Sequence, residues 1–301
     1  MYSYSRTRYS RIVLLLPLHA LLLTMGAEAS GDIGERLPKA LSDGIHPTTS
    51  ERRLVSTVTL PLLPKKMLVY RREHSGVSPE STTNLADKLL RTTGPIKAKR
   101  TLYMVTGTLD GIPFRLEVDR ATGSFALENQ DFYNPESAIR TTGEFPDLEE
   151  AKKMATEFLA KHNLMPEDAY LRGIADNSQG ADVISVGYGR RVDGFECWGA
   201  GSQMIVNIGR GGCIARIRKS WPTLKPVAEY DLVKPETAIQ KLKDGEGVLY
   251  HGQKGKIVGL KLVYYASPVA QEYVQPCYFV DCQEMDNGKK FYGVIEAVKS
   301  E

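Results

Sequence analysis

Reaction motifs are what this chain of 301 residues most plainly lacks. It has no H-E-x-x-H pair, no G-x-S-x-G nucleophile turn and no C-x-x-C spacing. The local signatures of zinc peptidases, of serine hydrolases and of structural zinc are therefore missing. A surplus of one charge is missing as well. The 39 lysines and arginines against 36 acids leave a formal +3, which gives no reason to expect a nucleic-acid partner. Cysteine is limited to four residues, and no apolar run after Met25 approaches the roughly 20 residues of a membrane span.

What is present is an ordinary globular composition. At 42% hydrophobic and 25% charged residues wholesale disorder is excluded, and 301 residues suffice for about two domains. Arg6, Arg8 and Arg11 precede an apolar run from Ile12 to Met25, and Ala27 and Ala29 fill the small positions of an A-x-A cleavage site. That order predicts a secretory signal peptide over 1–29, cut after Ala29, with an uncleaved signal anchor as the alternative. The mature chain is expected to be secreted or extracytoplasmic, with no transmembrane span after cleavage. Residues 30–50, rich in Gly, Asp, Pro, Ser and Thr, read as a linker.

An oxidising compartment permits disulfides among Cys197, Cys213, Cys277 and Cys282, which allow three pairings. Cys277 and Cys282 bracket an extended run that would hold them roughly 16 Å apart. A bridge needs Cα atoms closer than about 7 Å. Cys197 and Cys213 fall at opposite ends of one predicted strand. Any bridge is expected to tie the central region to the last one; free, buried thiols are the alternative.

Along the chain, Leu54 to Leu60 and Lys66 to Arg71 alternate as strands, and a short helix begins at Ser78-Pro79-Glu80. A meander follows through Thr101–Thr108, Phe114–Val118 and Ser124–Leu127, turned at Asp110-Gly111 and Thr122-Gly123. Asp147 caps the central helix, with Glu150 three positions on, and Leu148, Ala151, Ala155, Phe158 and Leu159 form its apolar face. Val183–Tyr188, Gln203–Ile208 and Cys213–Ile217 are strand-like, and Trp221-Pro222 closes the unit. A helix at Lys234-Pro235 and four more strand-like runs complete the chain. The fold class expected is α+β: a helix packed on an antiparallel β-meander, repeated two or three times.

Within residues 187–221, Val192-Asp193-Gly194, Gly199, Gly201, Gly212 and Trp221 occupy the turn and closing positions of PepSY-like domains. The stretch resembles those domains and the related extracytoplasmic domains of YycI-type accessory proteins. Leu262–Ala266 with Gln275–Phe279 is similar to the closing strands of a second copy. The resemblance implies PepSY/cystatin-like units at 146–226 and 227–301, after an N-terminal α+β region at 51–145. It also implies a regulatory or inhibitory role, often toward peptidases or membrane sensors, without catalytic residues. In such a unit the turns Val192, Asp193, Gly194, Phe195 and Gly209, Arg210, Gly211, Gly212 would meet a protein partner.

Other chemistry has a plainer explanation. His46, His74, His162 and His251 are scattered, so no metal site is expected, and no cofactor either. Ser202 lacks the second glycine of a nucleophile turn, and Gly252-Gln-Lys-Gly-Lys256 reads as a hairpin turn rather than a phosphate loop. Arg190, Arg191, Arg210, Arg216 and Lys219 either form a solvated face or gather into a basic patch for an acidic partner. The function expected is a secreted, non-enzymatic binding or regulatory protein, restraining a peptidase or modulating an extracytoplasmic partner. The alternatives are a structural or surface-interaction protein without inhibitory action, and a hydrolase of unrecognised type.

Overall fold

Period-two alternation of apolar and polar residues dominates the chain after residue 52, and that part of the chain folds mainly as strands. The computed structural model describes residue 37 and residues 52–299, apart from 57, 74–75, 92–93, 251, 253 and 268–270. The predicted signal peptide, the linker except Leu37, and His46, His74 and His251 lie outside the described residues. In chain order the first elements are β1 (Arg53–Ser56), β2 (Lys66–Arg72), α1 (Pro79–Leu89), β3 (Lys97–Lys99), β4 (Leu102–Leu109), β5 (Ile112–Asp119), β6 (Phe125–Asn129) and α2 (Gln130–Tyr133). The middle comprises α3 (Leu148–Lys161), β7 (Ala169–Asn177), α4 (Ser178–Ala181), β8 (Val183–Val192), β9 (Phe195–Trp198), β10 (Gln203–Ile208) and β11 (Ile214–Ser220). The last part holds β12 (Leu224–Asp231), α5 (Pro235–Lys243), β13 (Val248–Tyr250), β14 (Lys254–Tyr265), β15 (Tyr273–Gln283) and β16 (Lys290–Glu296).

These strands form one mixed sheet of sixteen. In its first half the order is β3–β4–β5–β6–β11–β10–β8, with β7 on the free side of β8. In its second half β12, β2, β15 and β14 lie side by side, and β16 shares the edge of β15 with β2. β9 connects the halves. It forms a hairpin with β8 at Val192↔Phe195 and runs parallel to β14 at Tyr264↔Cys197 and Tyr265↔Trp198.

This architecture corrects the expectation of helix-on-meander α+β units repeated two or three times. The protein is mostly β, with one large mixed sheet and few helices. β1 and β9 both run parallel to β14, and β1 and β2 pair with strands some 200 residues later, Arg53 with Lys254 for instance. Alternation identifies a strand but not its partner, so pairings of this separation leave no local trace.

Register shows that the three longer helices share one side. Tyr188 and Val192 on β8 have the same parity. Tyr188 belongs to the core beneath α1 and α3, with Leu116, Leu127, Val186, Met204 and Ile217, whereas Val192 belongs to the core beneath α5, with Ile257, Tyr264, Tyr278 and Val280. Asp147 caps α3 by accepting from the Glu150 amide at 2.8 Å. A reciprocal capping box forms at α1, between Ser78 and Ser81.

The junction after β9 is close backbone packing. A Cβ on Gly201 would lie 2.0 Å from the Ser267 carbonyl oxygen, and one on Gly199, at φ +105°, would lie 2.2 Å from that of Ala266. Gly201→Ala is expected to cost about 1–3 kcal/mol in denaturant unfolding. Gly180→Ala, where a Cβ meets nothing within 4 Å, should stay near wild type.

Candidate binding face of the sheet

The side of the first half turned away from the helices is set by the same alternation. Arg115, Glu117 and Asp119 on β5 stand beside Ala126 and Glu128 on β6, Arg216 and Arg218 on β11, and Gln203, Ile205 and Asn207 on β10. Ser185, Gly187 and Gly189 on β8 continue the rows. Glu128 is buried, accepts a hydrogen bond from Arg115 at 2.5 Å and is ion-paired with Arg216 at 2.9 Å, while Arg115 also lies 2.9 Å from Glu117. Charge-assisted pairs of this kind compensate the desolvation of a buried carboxylate. Asn177 donates to Ser185 at 3.0 Å and Ser185 to Asn207 at 3.2 Å, so the polar network crosses three strands. Over Gly189 the missing side chain admits the Tyr170 ring, whose other side carries Arg191 at 4.8 Å.

A shallow cleft of about 280 Å³ opens in this face. Arg218, Glu117, Asp119, Gln203, Ser124 and Ser220 line it over an apolar floor that includes Ile205 and Ala126. In the second half aromatic rings cover the middle of the same side, and Lys261 and Asp281 stay exposed at its margin. Trp198, Tyr250, Tyr265, Phe279 and Tyr292 pack ring on ring, with centroids 4.7–6.0 Å apart, and cover β15.

The two predicted partner turns do not converge. They leave opposite ends of β8, which at ten residues separates them by about 30 Å. Val192 is buried, and Phe195 packs on the α5 core. Asp193 accepts from Tyr70 at 2.5 Å and Tyr264 at 3.1 Å, so that turn joins β8–β9 to β2 and β14. At the other end Gly209 bonds Cys213, the Gly211 amide donates to Glu144, Arg210 covers the Phe145 ring at 4.4 Å, and a Cβ on Gly212 would strike Met154.

The five basic residues considered from sequence are likewise dispersed. Arg190 donates to Asp168 at 2.6 Å, and Lys219 turns to the helix side to reach the Leu164 carbonyl at 2.8 Å. Arg216 and Arg191 lie on the face opposite the helices. Arg115, Glu128 and Arg218 complete that face, and the only sequence signal for them was the polar set of each alternating strand.

All four cysteines carry free thiols. Cys197 pairs beside Tyr264 and Cys277 beside Val263, so the two point to opposite sides of the sheet. Burial pushes the thiols up, Cys197 to about 11 and Cys282 to about 12, and Cys277 rises for the same reason. Ser202 is fully buried at the junction. His162 packs against Phe158 and lies 3.5 Å from Asp110. Among the described residues no three His, Cys, Asp or Glu gather as metal ligands.

No protein-family description matches the chain, and no curated protein does. Solved structures similar to it include the following two. An uncharacterised protein from Eubacterium rectale is 13% identical over 79% of this chain and 85% of its own, with a TM-score of 0.44. The C-terminal domain of YpeB from Bacillus megaterium is 14% identical over 74% of this chain and 99% of its own, with a TM-score of 0.37. Similarity at this level assigns neither a fold family nor an activity.

Asp193→Ala removes a shared acceptor from two phenols and is expected to cost about 1–3 kcal/mol in chemical denaturation. Thiol labelling of the native protein, mapped by mass spectrometry, should modify the half-buried Cys213 first and the other three only on unfolding.

Proposed function

We propose that this chain is a non-enzymatic binding protein that acts outside the cytoplasm and docks a protein partner on the uncovered half of its sheet. The observation that carries the reading is that face itself. It sets a cross-strand network of Arg115, Glu128 and Arg216 beside a cleft, on the side opposite all three longer helices. Charged groups fixed in place by their neighbours favour recognition of one complementary surface over others.

The sheet edges support docking by a face rather than by strand addition. β3 is three residues long with two lysines; β12 carries Pro226 and a bulge; β7 is interrupted by a bulge between Leu171 and Gly173. Each device discourages an added strand. Export is supported by the arginines and apolar run of residues 6–25 followed by Ala27 and Ala29. Restraint of a peptidase, or modulation of an envelope protein, is the role that the PepSY-like pattern of 187–221 favours.

Photocrosslinking tests the reading. A crosslinker at Asn207 should capture a partner from the native medium, and one at Lys153 on α3 should not; the captured protein is then assayed for peptidase activity with and without the chain. Equal capture at both positions would sink the docking surface.

A further inference from the structure

The cations of the uncovered face are not equivalent. Arg115 and Arg216 are both engaged by Glu128, and Arg115 by Glu117 as well. Arg218, two residues beyond Arg216 and so on the same side of β11, makes no ion pair or side-chain hydrogen bond with any described residue. It is exposed in the cleft, where the Ser124 and Ser220 hydroxyls lie 2.9 Å apart and Gln203 adds an amide.

The acids on the same rim are already occupied. Arg115 holds Glu117, and Asp119 accepts from the amides of Ala121 and Thr122 at 3.1 and 2.8 Å and from the Thr122 hydroxyl at 2.8 Å. Partial burial and then the like charge of Arg216 lower the Arg218 pKa, so an incoming anion would relieve both. Below this rim the floor is apolar, formed by Leu102, Ala126 and Ile205.

We propose that the cleft takes the carboxylate side chain of an acidic, extended segment of the partner protein, with Arg218 as the anchoring cation. The proposal deepens the reading of this face as the docking surface and rests on it. A guanidinium presents two parallel donors that match a carboxylate. An extended segment turns every second side chain toward the sheet, so acidic and apolar residues can share the rim and the floor.

Fluorescence anisotropy on the full chain tests it, with a labelled peptide of repeated Asp-Ser-Val-Ser, which sets aspartate and valine on one face of an extended chain, its counterpart with asparagine for aspartate, and inorganic phosphate as competitor. At low salt the aspartate peptide should bind about tenfold tighter than the asparagine peptide. Arg218→Gln should abolish that preference, Arg218→Lys should keep part of it, and Lys88→Gln on α1 should leave it unchanged. Unaltered thermal unfolding of Arg218→Gln would show that the loss is not a folding defect. Equal binding of the two peptides, or an Arg218→Gln chain that binds as wild type does, overturns the proposal. Phosphate that displaces the peptide at equal concentration overturns it too, by revealing a simple anion site. Persistent crosslinking from Asn207 alongside any of these results leaves the docking face standing and removes the carboxylate anchor alone.

Discussion

The β8–β9 hairpin is the element on which the rest of the structure depends. Backbone pairing between the halves of the sheet through β9 and β14 covers two residue pairs, Cys197 with Tyr264 and Trp198 with Tyr265. Side chains complete the junction. Tyr70 and Tyr264 meet edge to face at 5.5 Å and both donate to Asp193, while the Tyr264 hydroxyl also reaches the Leu68 carbonyl at 3.1 Å. Burial, reinforced by the Asp193 charge, raises both phenols well above their ordinary range, so they remain donors. Bare backbone at Gly199 and Gly201 then lets Ala266 and Ser267, just after β14, pack against it, and the Gly201 amide donates to the Ala266 carbonyl at 3.0 Å.

Because one strand runs through both halves, one side of the sheet is helical throughout and the other is free to differ. In the second half an aromatic cluster covers the middle of the free side, and β15 is buried on both faces. The first half keeps an accessible polar surface there. Its charges are arranged by cross-strand register: Glu128 lies opposite Arg115 on one neighbour and Arg216 on the other. Arg218, one pleat further, faces Ala126 and makes no ion pair with a described residue. The difference between a satisfied arginine and a poised one is thus a single step along β11.

Local elements were legible where local physics decides them. The helices at 79, 148 and 235 follow from capping residues, a proline in the first turn and apolar spacing, and the Asp110-Gly111 and Asp193-Gly194 turns follow from residues that accept positive φ. β7, β9 and β12 were not anticipated. β7 is broken by a bulge near Gly173, β9 is four residues long, and β12 contains Pro226, so none alternates long enough to announce itself. Of the candidate face, Arg216 and Arg218 could be placed on the polar side of one strand, but their different partners could not. Of the glycines in the turns expected to meet a partner, Gly209 and Gly212 lie in close packing, and Gly194 and Gly211 supply positive φ.

By itself the sequence determined the three longer helices, the regularly alternating strands and which side chains of each such strand share a face, since these follow from spacing within a few residues. The tertiary structure alone decided that the strands join as one mixed sheet, that β1 pairs with β14 and β2 with β15, and that Glu128 gathers two arginines and leaves Arg218 to the cleft. These are contacts between residues far apart in the chain, selected by collective burial, and no local pattern encodes them.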